Sequence, residues 1–386
     1  MLRFITSGES HGPGLVAVVE GLPSGLEVTS SGIADELARR RLGYGRGPRM
    51  ALEKDELEIL GGVRFGLTLG GPVAVLIRNT EWPKWVAQMS PEPGEKGKRE
   101  QKPRPGHADL AGMLKYDTHD ARDILERASA RETAARTVVG YLSKQLLGTL
   151  DISVFSHVTA IGGVAIDRTV DRPGPQDLDT IDASPVRVFR AEDEAAMVAA
   201  IEQASESKDT LGGSVEVLGY GIPPGVGSHV HWDRKLDGML AGALMSIQAI
   251  KAVEIGQGIT QSAARGTRAH DEIVPGSPDT GFARKTNRAG GIEGGMTNGD
   301  VLSVSAYMKP IATVMQPLDT VDVDTKEAAK AFRERSDVCA VPAAGVVAEQ
   351  MVAFIVAREM LRMYGGDTAG DFAASHKAYL ERLKKF

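Results

Sequence analysis

The sequence predicts an α+β fold in which central helices are covered by sheets. Three stretches, 127–147, 239–253 and 343–361, read as helices with broad apolar faces. Segments of strand character lie between them, such as 214–219 and 302–308. Strands and helices follow one another irregularly, without the regular alternation of a doubly wound parallel sheet. A chain of 386 residues has the length of two or three average domains, or of one large one, and is long enough to bury a sizeable core.

Residues 1–6 read as a short strand, followed by the glycine-punctuated run GESHGPG at 8–14 and a valine-rich strand at 15–20. Residues 31–41 suit a helix, with Asp35 and Glu36 early and Arg39, Arg40 and Arg41 at the end, as the helix dipole favours. The glycines at 43, 45 and 47 then break it. Residues 90–106 carry no aliphatic or aromatic side chain, so they read as a long loop, and their place between ordered segments makes them a candidate lid. In 127–147, Ala134, Ala135, Val138, Val139, Leu142 and Leu146 recur at helical spacing, with Glu132, Arg136 and Lys144 on the other face. Residues 239–253 are apolar nearly all round, which predicts a helix buried on most sides. No short-period repeat is visible. Residues 367–386 read as a polar helical appendage.

Composition narrows the function. With 45 basic and 51 acidic side chains the net charge is −6, which argues against a general nucleic-acid binder. Cys339 is the sole cysteine, so an internal disulfide and a thiolate metal cluster are excluded. No apolar run approaches 18 residues and the N-terminal segment lacks a signal-peptide core, so no membrane span is expected and a cytoplasmic location is the default. The 45 glycines exceed the usual share of about 7%, which implies tight turns or backbone lying close to something small.

Several residues then stand out. Ser10 and His11 lie in a shaped turn between two strands. The same stretch is formally Gly-x-Ser-x-Gly, but a nucleophile elbow needs a helix directly after the serine, and a strand follows here. His107, at the foot of the polar loop, is of a residue type that titrates near 6.5 and can act as an acid at neutral pH. Arg40, Arg46 and Arg49 cluster in one stretch. Arg127 and Arg131, four residues apart, read as the start of a helix, where the dipole is already positive and an anion would be welcome. Arg335 again precedes a helix. Guanidinium groups match carboxylate and phosphate, so the pattern predicts a site for a small, multiply anionic ligand with histidines as proton donors. Five glycines in residues 290–299 would let a flat ligand lie against bare backbone, although a pair of turns explains them equally. A serine hydrolase built on Ser10 and a nucleic-acid module using Lys96, Lys98, Arg99, Lys102 and Arg104 are the competing readings.

The motifs GESHG (8–12), RPGHAD (104–109), ERASARET (126–133), GGIEGGMTNG (290–299) and RSDVCAVPAAGVVAE (335–349) together resemble the chorismate synthase family, in family order from residue 1 to about 364. The resemblance implies a β-α-β sandwich, with central helices flanked by two antiparallel sheets, in a single catalytic domain over 1–365 with a helical tail at 366–386. It also implies a homotetramer and a carbon–oxygen lyase acting on phosphates. The reaction would be 1,4-anti elimination of phosphate from 5-enolpyruvylshikimate 3-phosphate to give chorismate, the last common step of aromatic amino-acid biosynthesis. Reduced FMN would be the cofactor, with NADPH as a candidate reductant and no metal; a plain flavin reductase, turning over NADPH without phosphate release, is the third competing reading. By the same resemblance His11, His107, Asp337, Ser10 and Ser129 are the proton-handling residues, with His107 as general acid. Arg40, Arg46, Arg104, Arg131 and Arg335 bind substrate, with Arg49 as a neighbour. The flavin falls to Arg127, Ala128, Ser129, Gln248, Ala249, Gly294, Lys309, Pro310, Ile311, Ala312, Thr313 and Arg335.

Overall fold

The structure, a computed structural model, describes residues 1–46, 56–168, 170–276, 281–334 and 336–386. Two antiparallel sheets enclose a layer of helices. The first sheet has four strands in the order Arg3–Ser7, Gly14–Glu20, Val73–Arg78 and Glu56–Gly61. Alternation sets its faces: Leu15, Ala17 and Val19 are buried, as are Val73, Val75 and Ile77 on the neighbouring strand, where Leu15 pairs with Ile77. The second sheet has five strands in the order Ile250–Ile255, Leu302–Met308, Gly213–Tyr220, Ser153–Ile161 and Val164–Ala165. Val154, Val158, Val215, Val217, Val304 and Ala306 are buried in the core that it shares with the helices.

Between the sheets run the helices Ser30–Arg41, Thr133–Gly148 and Val341–Tyr364. Thr133–Gly148 packs on the Gly14–Glu20 strand, while Val341–Tyr364 packs on Thr133–Gly148 and on the five-stranded sheet. The last helix has the length and apolarity of a membrane span, and its near-complete burial between sheet and helix accounts for that composition. Its crossing with Thr133–Gly148 is close because Gly140 faces Gln350; a Cβ at Gly140 would overlap the glutamine side chain. This is the α+β sandwich that the sequence implied.

Three elements differ from expectation. The helix expected over 127–147 is broken into Arg122–Ala128, a 3-10 turn at Ala130–Glu132, and Thr133–Gly148. Ser129 makes the break: its backbone is extended and its hydroxyl accepts from the Arg131 amide, so it ends one element and caps the next. The helix expected over 239–253 spans Leu236–Met245 and buries only Leu236, Leu240 and Leu244. Ala249, at φ 66°, then turns the chain into the Ile250–Ile255 strand, where the β-branched residues pair with Leu302–Met308. The polar tail forms the helix Ala369–Leu383, capped by Thr368, and it is docked: Phe372 is fully buried and packs with His376 and Tyr379 around Tyr364.

Candidate active site

The Gly8–Gly14 turn joins the first two strands and folds back over the Arg122–Ala128 helix. Gly8 adopts φ 103° with its α-carbon against the Gly14 carbonyl, which closes the turn and leaves no space for a side chain. Ser10 donates its amide to the Glu126 carbonyl at 3.0 Å, and Asn79 Nδ2 donates to the Gly12 carbonyl at 2.9 Å. His11 is thereby buried rather than solvated. Its amide donates to Glu126 Oε2 at 2.8 Å and its Nδ1 lies 2.9 Å from Glu126 Oε1. A carboxylate accepts only, so Nδ1 carries the proton and Nε2 occupies the opposite edge of the ring. Trp85 lies over the imidazole, tilted by 33°, with ring centroids 3.9 Å apart. Burial opposes the Glu126 charge, yet the bonds from His11 and the nearby Arg122 cation hold its pKa below the usual carboxylate range.

His107 is built the same way. Its Nδ1 makes a short bond to Asp109 Oδ1. Asp109, at the start of the Asp109–Tyr116 helix and fully buried, also accepts from Arg104 Nε at 2.9 Å and from the Arg104 amide at 3.1 Å. Burial disfavours this carboxylate, but the His107 and Arg104 bonds outweigh it and hold its pKa down at about 2. Arg104 Nη1 donates to Thr313 Oγ1 at 2.9 Å, and its guanidinium lies over the Phe332 ring at 4.6 Å. Lys309 donates to the Gly106 carbonyl, so the run from Lys309 to Thr313 sits at the foot of the His107 turn. Within 90–106, the first part is exposed coil. The second is tied down: Ala121 donates to the Glu100 carbonyl and Val323 to that of Gln101.

The other predicted residues are spread over several elements. The Ser129 and Ser10 hydroxyls lie 3.2 Å apart. Arg127 does not open a helix, as the sequence suggested; it lies in the last turn of Arg122–Ala128, where the dipole favours a cation. There it donates to the carbonyls of Thr6 and Gly8, pinning the turn that carries His11. Ala128 ends that helix. Arg131 lies in the 3-10 turn, and Arg40 is buried with Nη1 3.5 Å from Thr133 Oγ1, two residues further on. Arg46 pairs with Asp337 at 3.3 Å. Gln248 is not in a helix but in the turn before Ala249; its Nε2 donates to Glu132 Oε2 at 3.3 Å, while its buried Oε1 has no hydrogen-bond partner among the described residues. Gly294, φ 60°, tips the hairpin between Ile292–Glu293 and Met296–Thr297, and its missing side chain would face open space. Arg49 and Arg335 lie outside the described residues. A concavity of about 870 Å³ on the flank of Arg46, lined by Gly43, Ile201 and Ser336, includes neither histidine.

Sequence reasoning assigned no role to Asp109, Arg122, Glu126, Glu334 or Trp85. Asp109 and Glu126 sit inside the motifs that drew attention to their neighbours, and a carboxylate two residues after a histidine was a usable signal. The partnership of Glu126 with His11 joins segments far apart in sequence and leaves no local trace.

Comparison with known proteins agrees with this architecture. The family model described as chorismate synthase matches residues 2–361. The chorismate synthase of Thermobifida fusca (strain YX) is 56% identical over 392 residues, covering 99% of each chain. That of Acidothermus cellulolyticus is 57% identical over 392 residues, again covering 99% of each. A crystal structure of a chorismate synthase superposes with a TM-score of 0.81 at 38% identity, covering 100% of this chain and 99% of the other. The chain belongs to the chorismate synthase family and is an enzyme, a carbon–oxygen lyase of aromatic amino-acid biosynthesis.

Proposed function

We propose that this chain converts 5-enolpyruvylshikimate 3-phosphate to chorismate by 1,4-anti elimination with reduced FMN bound. The carbon–oxygen bond to phosphate breaks and a proton leaves carbon, so the reaction has no net redox change. The observation that carries the proposal is the pair of histidine–carboxylate units, buried His11–Glu126 and half-buried His107–Asp109, each with an arginine, Arg122 or Arg104, on its carboxylate. A substrate with two carboxylates and a phosphate calls for that combination of cations and proton donors.

His107 serves as the general acid for the departing phosphate. Asp109 orients its ring and stabilises the imidazolium, an arrangement in which a positioned acid contributes about 10²–10⁴-fold. His11, held by Glu126 and Trp85, stabilises charge that develops on the substrate. Arg40, Arg46, Arg49, Arg131 and Arg335 bind the anionic groups. Arg104, already engaged by Asp109 and Thr313, acts chiefly by holding His107. The adjoining Ser10 and Ser129 hydroxyls would pass a proton between the histidine turn and the 3-10 turn, and Asp337, held by Arg46, would serve as an acceptor in the same relay.

The described residues fit a flavin. Gln248 Oε1 is a buried acceptor in want of a donor, as an isoalloxazine edge would supply, and Gly294 leaves open space. Arg127, Ala128, Ser129, Ala249, Lys309, Pro310, Ile311, Ala312, Thr313 and Arg335 complete the set that would hold it. When bound, reduced FMN would lend electron density to the breaking bond. NADPH as reductant, a homotetramer, a cytoplasmic location and one catalytic domain over 1–365 belong to the same reading.

The test is anaerobic: protein, reduced FMN and 5-enolpyruvylshikimate 3-phosphate, with phosphate and chorismate followed together. Equal release of both is expected, with His11→Ala and His107→Ala each losing at least about tenfold in rate. Phosphate release without chorismate, or NADPH turnover without phosphate, refutes the reading. Near-normal turnover in both variants refutes the roles given to the histidines.

A further inference from the structure

Glu334 touches neither histidine, yet both histidine units end on it. From His11 the path runs through Glu126 to Arg122, whose Nη1 donates to Glu126 Oε1 at 2.7 Å and whose Nη2 donates to Glu334 Oε1 at 3.2 Å. From His107 it runs through Asp109 to Arg104, whose Nη1 lies 3.6 Å from Glu334 Oε2. The two branches are alike in make-up: an imidazole, a buried carboxylate, an arginine and an aromatic ring. Arg122 lies over Trp85, the ring that covers His11, at 5.1 Å, and Arg104 lies over Phe332 at 4.6 Å. Two guanidiniums this close repel each other, and one carboxylate spans the gap with an oxygen directed to each. Its side chain is 25% exposed, and those of Arg104 and Arg122 only 6% and 14%, so solvent screens the attraction weakly.

We propose that Glu334 is a positioning residue that fixes the placement of the His11 and His107 imidazoles relative to each other across the reaction site. The proposal rests on reading both histidines as groups that act on the substrate. Without the Glu334 charge the two arginines separate. Each is bonded to the carboxylate that orients one imidazole, so the movement reaches both rings.

The test uses the full chain with Glu334→Gln, which keeps the shape but removes the charge and turns one of the two acceptor oxygens into a donor, and Glu334→Ala as the deeper change. Histidine ring signals are followed by NMR in ¹³C-labelled protein and assigned with His11→Gln and His107→Gln. Turnover is measured with reduced FMN and the enolpyruvyl substrate. The expected result is that the His11 and His107 signals shift together while that of His157, buried in the five-stranded sheet, stays in place. In parallel kcat falls about tenfold in Glu334→Gln, within the roughly 10²-fold that a 1 Å misplacement can cost, with KM little changed. A shift in one ring only, or in all eight histidines at once, overturns the proposal. So does wild-type kcat in Glu334→Gln when His11→Ala and His107→Ala are impaired. If those two alanine variants turn over normally, the reading beneath the proposal is what fails.

Discussion

Replacing Asp109 by asparagine should destabilise the protein in a pH-dependent way. The carboxylate is fully buried and accepts from the Arg104 amide, from Arg104 Nε and from His107, and its pKa stands at about 2 against a usual value of 3.8. A shift of that size corresponds to roughly 2–3 kcal/mol of native-state preference for the charged form. Asparagine also leaves Arg104 buried beside a neutral group, and breaking a buried ion pair costs about 3–5 kcal/mol. Glu334, 3.6 Å from Arg104, offsets part of that, so a loss near 3 kcal/mol is expected at pH 7. The sign follows from the direction of the shift. A depressed carboxylate pKa contributes fully above the unfolded value near 4 and loses its contribution as pH falls toward 2, with about half gone at pH 3. Urea unfolding of wild type and Asp109→Asn, at fixed protomer concentration between pH 7 and pH 3, reads this directly. Equal midpoints at pH 7, or a gap that does not narrow below pH 4, would refute the reasoning.

Other consequences are open to similar checks. Gln248→Leu removes a buried side-chain acceptor that has no partner among the described residues, together with the Nε2 bond to Glu132, so FMN should bind more weakly, by up to about tenfold, while stability falls by no more than about 1 kcal/mol; fluorescence titration with FMN and a melting curve measure the two effects. Phe372→Ala deletes the fully buried anchor of the C-terminal helix and should cost about 3–5 kcal/mol in urea unfolding, whereas a loss under 1 kcal/mol would mean that the helix contributes little to the fold.

The strand and helix periods were readable wherever one face alone is buried. Leu15, Ala17 and Val19 alternate, and Ala134, Val138 and Leu142 recur at helical spacing, because each set faces the same core. Reading failed where apolarity continued through a change of element. Residues 239–253 are apolar throughout, so composition alone could not place the turn at Ala249, which depends on a left-handed backbone and on pairing with Leu302–Met308. Ser129 was visible as a candidate site residue but not as a helix breaker, since its capping bond to Arg131 competes with helical continuation only in the folded context. The histidines and arginines of the site were legible as residue types in glycine-rich motifs. Their partners Glu126, Arg122 and Glu334 were not, because they come together only when the Gly8–Gly14 turn and the segment carrying Glu334 fold onto the Arg122–Ala128 helix.

Whether both imidazoles serve one reacting molecule is tested most directly by a crystal structure of the chain with oxidised FMN and 5-enolpyruvylshikimate 3-phosphate. The account predicts the substrate between His11 and His107, its anionic groups on Arg40, Arg46 and Arg131, and the flavin against Gln248 and the run from Lys309 to Thr313. Substrate held in a cavity that only one of the two imidazoles lines, or flavin bound away from Gln248, would contradict it.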